Sequence, residues 1–178
     1  QGVGAAYVAE PRAEDFTLDA ASVVDAIEHH DPDVVFLCAP NNPTGTPLSL
    51  DVVDAACAAA RGIVLVDEAY AEFAHDRSRT ALALLPRFDR LIVSRTMSKA
   101  FAYAGVRVGY LAADPAVVDA LRLVRLPYHL SALTQAAALA ALRHAPTMLA
   151  RVDELRAQRD RIVTELAGMG FAPYPSDA

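Results

Sequence analysis

The sequence predicts an α/β fold in which a mostly parallel β-sheet carries helices on both faces. Three short runs are apolar throughout, at residues 34–38, 63–66 and 91–93, and amphipathic helical patterns alternate with such runs. Strands that are apolar at every position are typical of parallel sheets covered on both sides. Their alternation with helices favours crossover connections between parallel strands.

The first half of the chain supplies most of these strands. Residues 4–9 read as a short strand, and Asp19 can cap a helix that runs to about His29. The strand at 34–38 ends in a dense loop signal, Ala-Pro-Asn-Asn-Pro-Thr-Gly. Ser49 can cap a second helix, with Gly62 at its end. The strand at 63–66 then ends at Asp67, and the strand at 91–93 ends at Ser94.

The second half of the chain is mostly helical. A fourth strand is predicted at 106–112, and Asp114-Pro115 is a cap followed by a first-turn proline, which indicates a helix to about Arg125. After a break at residues 126–129, Ser131 can cap a helix to about His144. Pro146 starts another helix, and its apolar residues recur at helical spacing to about Ala167. Residues 171–174 predict the start of a further strand.

Composition limits the classes of protein that this chain can belong to. It has 178 residues, of which 54% are hydrophobic, and this length suffices for one domain with a sizeable core. The net charge of −6 argues against nonspecific binding of nucleic acid. No apolar run reaches the length of a membrane span. Both cysteines lie in apolar stretches, which suggests reduced thiols and a cytoplasmic location. The histidines lack the spacing of a metal site, so we expect no metal.

Polar residues with chemical potential follow the ends of three predicted strands. Asn42 comes after the first, Asp67 ends the second, and the segment Ser94–Lys99 follows the third. Ligands of such sheets bind beyond the carboxyl ends of the strands. The sequence therefore predicts one shared site at this edge of the sheet.

The residue types in this set suit a site in which a nucleophilic amine lies beside a bound anion. Lys99 can react with a carbonyl once it loses its proton, and the hydroxyls of Thr96 and Ser98 with the Arg107 guanidinium suit a phosphate dianion. Each residue alone has an ordinary alternative. Lys99 and Arg107 are then solvent-exposed charges, and Asp67 caps a turn. Asn42 is then a turn residue before proline, and Tyr70 an aromatic residue at the edge of the core.

Three motifs, in this order, are similar to those of the fold-type I aminotransferases, which depend on pyridoxal 5′-phosphate (PLP). They are Asn42–Gly45, Asp67 with Tyr70, and Ser98-Lys99 with Arg107 eight residues after Lys99. Four longer segments most resemble the histidinol-phosphate aminotransferases within that family, namely Asn41–Gly45, Val66–Phe73, Arg95–Phe101 and Leu126–Ser131. The resemblance covers nearly the whole chain and implies the large domain of that fold, incomplete at both ends.

The resemblance implies a role for each candidate residue. Lys99 would be the catalytic lysine that binds PLP covalently and moves the proton. The remaining residues would bind the cofactor: Asp67 at the pyridine nitrogen, Tyr70 and Asn42 at the ring oxygen O3′, and Thr96, Ser98 and Arg107 at the phosphate. The reaction implied is transfer of the amino group of L-histidinol phosphate to 2-oxoglutarate in histidine biosynthesis, by a cytoplasmic homodimer.

Length is where the chain departs from the family. Family members are longer, so the resemblance implies a central fragment that could be inactive alone. Residues 1–145 would be part of the large PLP-binding domain, and residues 146–178 a connecting helix and the start of the small C-terminal domain. Two alternatives stay open at this point. One is an aromatic amino-acid aminotransferase, and the other is a noncatalytic fragment of the PLP fold.

Overall fold

The computed structural model describes residues 4–178, so the first three residues of the predicted large-domain segment lie outside it. Helices and strands alternate first, and helices follow. In chain order the elements are α1 (Ala20–His30), β1 (Val34–Cys38), α2 (Leu50–Ala59), β2 (Ile63–Asp67), β3 (Leu91–Thr96), β4 (Gly109–Ala113), α3 (Pro115–Val124), α4 (Ala132–Arg143) and α5 (Ala145–Gly168). Short 3₁₀ helices lie at Ala71–Phe73, Ala81–Leu84 and Ala104–Val106.

The four strands form one mixed sheet in the order β1-β2-β3-β4. β1, β2 and β3 are parallel, and β4 is antiparallel to β3. The register places Cys38 opposite Asp67 and Asp67 opposite Ser94. A mostly parallel sheet with packed helices is thus confirmed, and the carboxyl ends of three neighbouring strands meet at one edge.

The main core lies between one face of this sheet and the helices α1 and α2. Leu91, Val64, Val66 and Val93 are almost completely buried there. Each such side chain stabilises the fold by about 1.5–3 kcal/mol relative to exposure. On the opposite face of β1, 69% of Phe36 remains exposed. In the described residues that face of β1 lacks the helical cover that a continuous apolar strand predicts.

A second, smaller core fixes the segment that follows β3. Met97, Ala100 and Phe101 are buried in it, together with Ala141 of α4 and Val152 of α5. Lys99, which lies between these anchors, is exposed. The apolar neighbours therefore hold the backbone of this segment and leave the amine of Lys99 accessible.

Side-chain caps begin four of the five α-helices in residues 4–178, as the sequence predicts. In each, a side-chain oxygen accepts a backbone N–H of the first turn, which satisfies a group that the helix cannot. The capping residues are Asp19, Ser49, Asp114 and Ser131. α2 ends at Ala59, three residues before the predicted Gly62. A Cβ at Gly62 would lie 2.1 Å from the carbonyl oxygen of Asp33, so this glycine permits a close backbone approach.

Three strand predictions need correction. Residues 4–9 form no strand and Tyr7 is 80% exposed, because this segment has no neighbouring strand to pair with. Residues 171–178 are irregular for the same reason, and the backbone N–H of Asp177 bonds to the Gly45 carbonyl at 2.7 Å. β4 begins at Gly109 rather than at residue 106, because Ala104–Val106 forms a 3₁₀ turn first.

The two cysteines are free and half-buried. Burial raises the pKa of the Cys57 thiol to about 11. It also raises the pKa of Cys38, and the nearby charge of Asp67 adds to this effect. Both thiols are therefore mostly protonated near neutral pH and poorly nucleophilic.

None of the helices in residues 4–178 combines the length and the apolar character needed to span a bilayer.

Candidate functional site

The predicted site residues lie at the carboxyl ends of β1, β2 and β3. Asn42 lies in the loop after β1, Asp67 is the last residue of β2, and Thr96 is the last residue of β3. Because these strands are parallel neighbours, their ends bring the three loops to one edge of the sheet. Sheet topology alone thus places the candidate residues together.

Asp67 is held by two hydrogen bonds to one of its carboxylate oxygens. The Ser94 hydroxyl donates to Oδ1 at 3.2 Å, and the backbone N–H of Ala69 donates to the same atom at 3.0 Å. Within the described residues, Oδ2 is left available to a ligand. Ser94 was not among the predicted site residues. Sequence spacing could not have found it, because its role depends on the register that places Ser94 directly opposite Asp67.

A cavity of about 260 Å³ opens at this edge. It combines a carboxylate with hydroxyls and a guanidinium, a set that suits a ligand carrying both a cationic ring nitrogen and a phosphate. Its lining residues are Asp67, Ala69, Ser94, Arg95, Thr96, Ser98, Arg107, Val108 and Gly109. Four predicted residues are therefore in one cavity, namely Asp67, Thr96, Ser98 and Arg107.

The other three predicted residues form a cluster that is not part of this cavity lining. The Asn42 amide Nδ2 lies 3.5 Å from the Tyr70 hydroxyl, at the limit of a hydrogen bond. Lys99 Nζ lies 5.3 Å from the centre of the Tyr70 ring, within the range of a cation–π contact. The Tyr70 side chain thus lies close to both the Asn42 amide and the Lys99 amine. Tyr70 follows Asp67 by three residues in the chain.

Lys99 is the only lysine of the chain, and the other 15 of its 16 lysine and arginine residues are arginines. An arginine side chain keeps its proton at any ordinary pH, whereas a lysine amine can lose it and attack a carbonyl. Lys99 is therefore the one side chain among the 178 residues that can form an imine. This compositional signal strengthens its candidacy as a nucleophile.

Arg107 reaches the cavity from an unusual backbone conformation. Its φ of 55° and ψ of 53° lie in the left-handed region, at the end of the 3₁₀ turn and before β4. Non-glycine residues in this region are often strained and cluster at functional sites. One guanidinium nitrogen donates to the Ala104 carbonyl at 3.0 Å, which orients the side chain.

We expect Gly109→Ala to lower the free energy of unfolding by about 1–3 kcal/mol, because the added methyl group overpacks the sheet. Its Cβ would lie 2.7 Å from the Arg95 carbonyl oxygen, which is backbone and cannot move aside. Urea denaturation measures the change. Gly105→Ala is the matched control, since nothing lies within 4 Å of a Cβ there. Equal stability of both variants would contradict the close approach of β4 to β3.

The sequence model of the family "Aminotransferase class I and II" matches residues 2–178. Two relatives illustrate the similarity. The histidinol-phosphate aminotransferase of Paenarthrobacter aurescens (strain TC1) is 59% identical over 99% of this chain and 48% of its own length. That of Frankia casuarinae is 61% identical over 97% of this chain and 44% of its own. The chain thus spans about half the length of the curated relatives that it matches.

A solved structure shows the same fold. The histidinol-phosphate aminotransferase from Sinorhizobium meliloti, crystallised in complex with pyridoxal-5′-phosphate, superposes with a TM-score of 0.85 at 30% identity. The match covers 96% of this chain and 47% of that one. With a family match over nearly every residue and this agreement in fold, the chain belongs to the class I and II aminotransferases.

Proposed function

We propose that the protein carrying this chain is a PLP-dependent aminotransferase that transfers the amino group of L-histidinol phosphate to 2-oxoglutarate. The observation that carries the proposal is the convergence of Asp67, Thr96, Ser98 and Arg107 on one cavity, with Lys99 directly after Ser98 in the chain. The name shared by the relatives at 59% and 61% identity supports the substrate and a place in histidine biosynthesis.

The donor set fits PLP at both ends of the molecule. Hydroxyls of Thr96 and Ser98 and the Arg107 guanidinium would hold the phosphate dianion through charge-assisted hydrogen bonds. Asp67 would hold the ring nitrogen, since a carboxylate stabilises its protonated form. Tyr70 and Asn42 would donate hydrogen bonds to the ring oxygen. When bound, PLP supplies an electron-accepting ring that stabilises negative charge at the substrate Cα.

The residues of the chain would then perform the remaining steps. Lys99 would hold the cofactor covalently through its amine in the resting enzyme. The Nζ of Lys99, once free of the cofactor, would take the proton from the substrate Cα as a general base and later give it up as a general acid. The Asp67 carboxylate would favour the protonated form of the ring nitrogen. Tyr70, close to both Asn42 and Lys99, would orient these groups.

Organisation and location follow as parts of this proposal. Residues 1–145 belong to the large PLP-binding domain, and residues 146–178, mostly α5, connect it to a small domain. A homodimer is supported by exposed apolar side chains around the end of α3, such as Leu123 at 86% exposure. The free cysteines support a cytoplasmic location, because disulfides are rare there.

Glutamate formation from 2-oxoglutarate tests the substrate. With the full-length protein and added PLP, we expect kcat/KM for L-histidinol phosphate to exceed that for phenylalanine by about tenfold or more, because the phosphate offers charged contacts that a phenyl ring does not. A preference for phenylalanine would indicate an aromatic aminotransferase. Binding of PLP without amino transfer from either donor would indicate a noncatalytic protein.

A further inference from the structure

Glu68 and Arg95 form a buried ion pair next to the candidate site. Their side chains are only 3% and 17% exposed. Arg95 donates to Glu68 Oε2 from Nε at 3.0 Å and from a terminal nitrogen at 2.7 Å. The other carboxylate oxygen, Oε1, accepts the backbone N–H of Ala81 at 2.7 Å. The Thr80 hydroxyl lies within 2.9 Å of both carboxylate oxygens and accepts from Arg95 at 3.0 Å.

The Glu68 carboxylate lies behind the site, and Arg95 reaches from it to the edge of the cavity. Glu68 directly follows Asp67, and Arg95 lies between Ser94 and Thr96. Side chains alternate between the faces of a sheet. Asp67 and Ser94 bond to each other on the site face, whereas Glu68 bonds to Thr80 and Ala81, at the 3₁₀ helix packed on the main core.

This arrangement ties together the two loops that carry the reactive groups. The backbone N–H of Glu68 donates to the Ser94 carbonyl at 2.9 Å, where the pairing of β2 with β3 ends. Beyond that point the chains diverge into the turn with Tyr70 and the segment with Lys99. The ion pair is a side-chain link between the strands at this divergence, so it limits how far the two loops can separate.

The Arg95 guanidinium has two carboxylates close to it. Besides the bonds to Glu68, Glu72 Oε1 lies 3.8 Å from Arg95 Nη1. These negative charges oppose the binding of an anion at Arg95, although parts of Arg95 line the cavity. Of the two guanidinium groups at the cavity, Arg107 is left to attract a phosphate.

We propose that Glu68 and Arg95 are positioning residues, whose ion pair limits the separation of the turn after Asp67 from the Thr96–Lys99 segment, beyond the point where the pairing of β2 with β3 ends. This inference rests on the proposed function, since it concerns how the cofactor is gripped. Separating the loops would move the carboxylate that holds the ring nitrogen away from the hydroxyls that hold the phosphate. A rigid cofactor cannot keep its contacts both at the ring nitrogen and at the phosphate when the loops separate, so the affinity for PLP falls.

The test is a PLP titration of the full-length protein, followed by visible absorption. We expect Glu68→Gln to raise the Kd for PLP by about tenfold or more and to alter the absorption band, since a shift of about 1 Å in a site has large effects. Arg95→Lys retains the charge but loses the planar fork, so it should change both readouts in the same direction by less. Arg95→Lys also tests the inference if Glu68→Gln does not fold.

Val53→Ala separates positioning from a general loss of stability. Val53 is 1% exposed in the main core on α2 and takes no part in the hydrogen bonds and salt bridges of the Glu68 and Arg95 side chains. At a temperature where all variants are folded, we expect Val53→Ala to bind PLP like the unsubstituted protein. An unchanged Kd and band in both ion-pair variants would overturn the inference, as would equal weakening by Val53→Ala. If the unsubstituted protein does not bind PLP, the proposed function fails together with the inference.

Discussion

Replacing Lys99 with alanine will lower the rate of amino transfer from L-histidinol phosphate by about ten thousandfold or more, because the variant lacks both the covalent anchor and the general base. No other lysine in the chain can substitute, since Lys99 is the only one. Lys99→Arg should fail equally, because a guanidinium keeps its proton. Glutamate formation under saturating substrate measures the loss.

Arg61→Ala is the control for this prediction. The Arg61 side chain is 84% exposed and precedes β2, at the end of the sheet away from the site. We expect it to retain full activity. A Lys99→Ala variant with more than about a hundredth of the original rate would show that another group carries the proton, because general acid–base catalysis alone supplies about a hundredfold or more.

Asp67→Asn will lower kcat by about a hundredfold to a thousandfold, the range for removal of one preorganised electrostatic group. An asparagine oxygen can still accept the bonds from Ser94 and the Ala69 N–H. The fold and much of the PLP affinity should therefore survive. What is lost is the negative charge that keeps the ring nitrogen protonated. Steady-state kinetics and a PLP titration on the same sample separate the two effects.

Asp89→Asn provides the matched change at a remote position. The Asp89 side chain is 82% exposed and contacts only Arg90 among the ion pairs of residues 4–178. Its kcat should equal that of the unsubstituted protein. If Asp67→Asn behaves in the same way, Asp67 is a structural cap of the turn after β2 and not a cofactor ligand.

The sequence predicts most of this fold because its signals are local. Apolar runs give β1, β2 and β3, and single capping residues such as Ser49 and Ser131 give helix starts. Residues 4–9 were mispredicted, because a short apolar segment forms a strand only beside a partner strand. The start of β4 was misplaced because the turn at Ala104–Val106 depends on contacts that a one-dimensional pattern does not contain.

The residues of the site also divide into those that the sequence predicts and those that it misses. Asn42, Asp67 and Lys99 are predictable, because each follows a strand whose end can be read from the sequence. Ser94 was missed as a partner of Asp67, and the link from Glu68 to Arg95 was missed too, because both depend on the register between β2 and β3. Sequence spacing within one segment does not fix the register between two segments.

Borohydride reduction of the full-length protein with bound PLP, followed by peptide mapping, tests the central claim most directly. The account predicts loss of a visible absorption band and a pyridoxyl group on the peptide that contains Lys99, with none in the Lys99→Ala variant. A pyridoxyl group on a different residue, or no covalent group although PLP is bound, would contradict the account of this site.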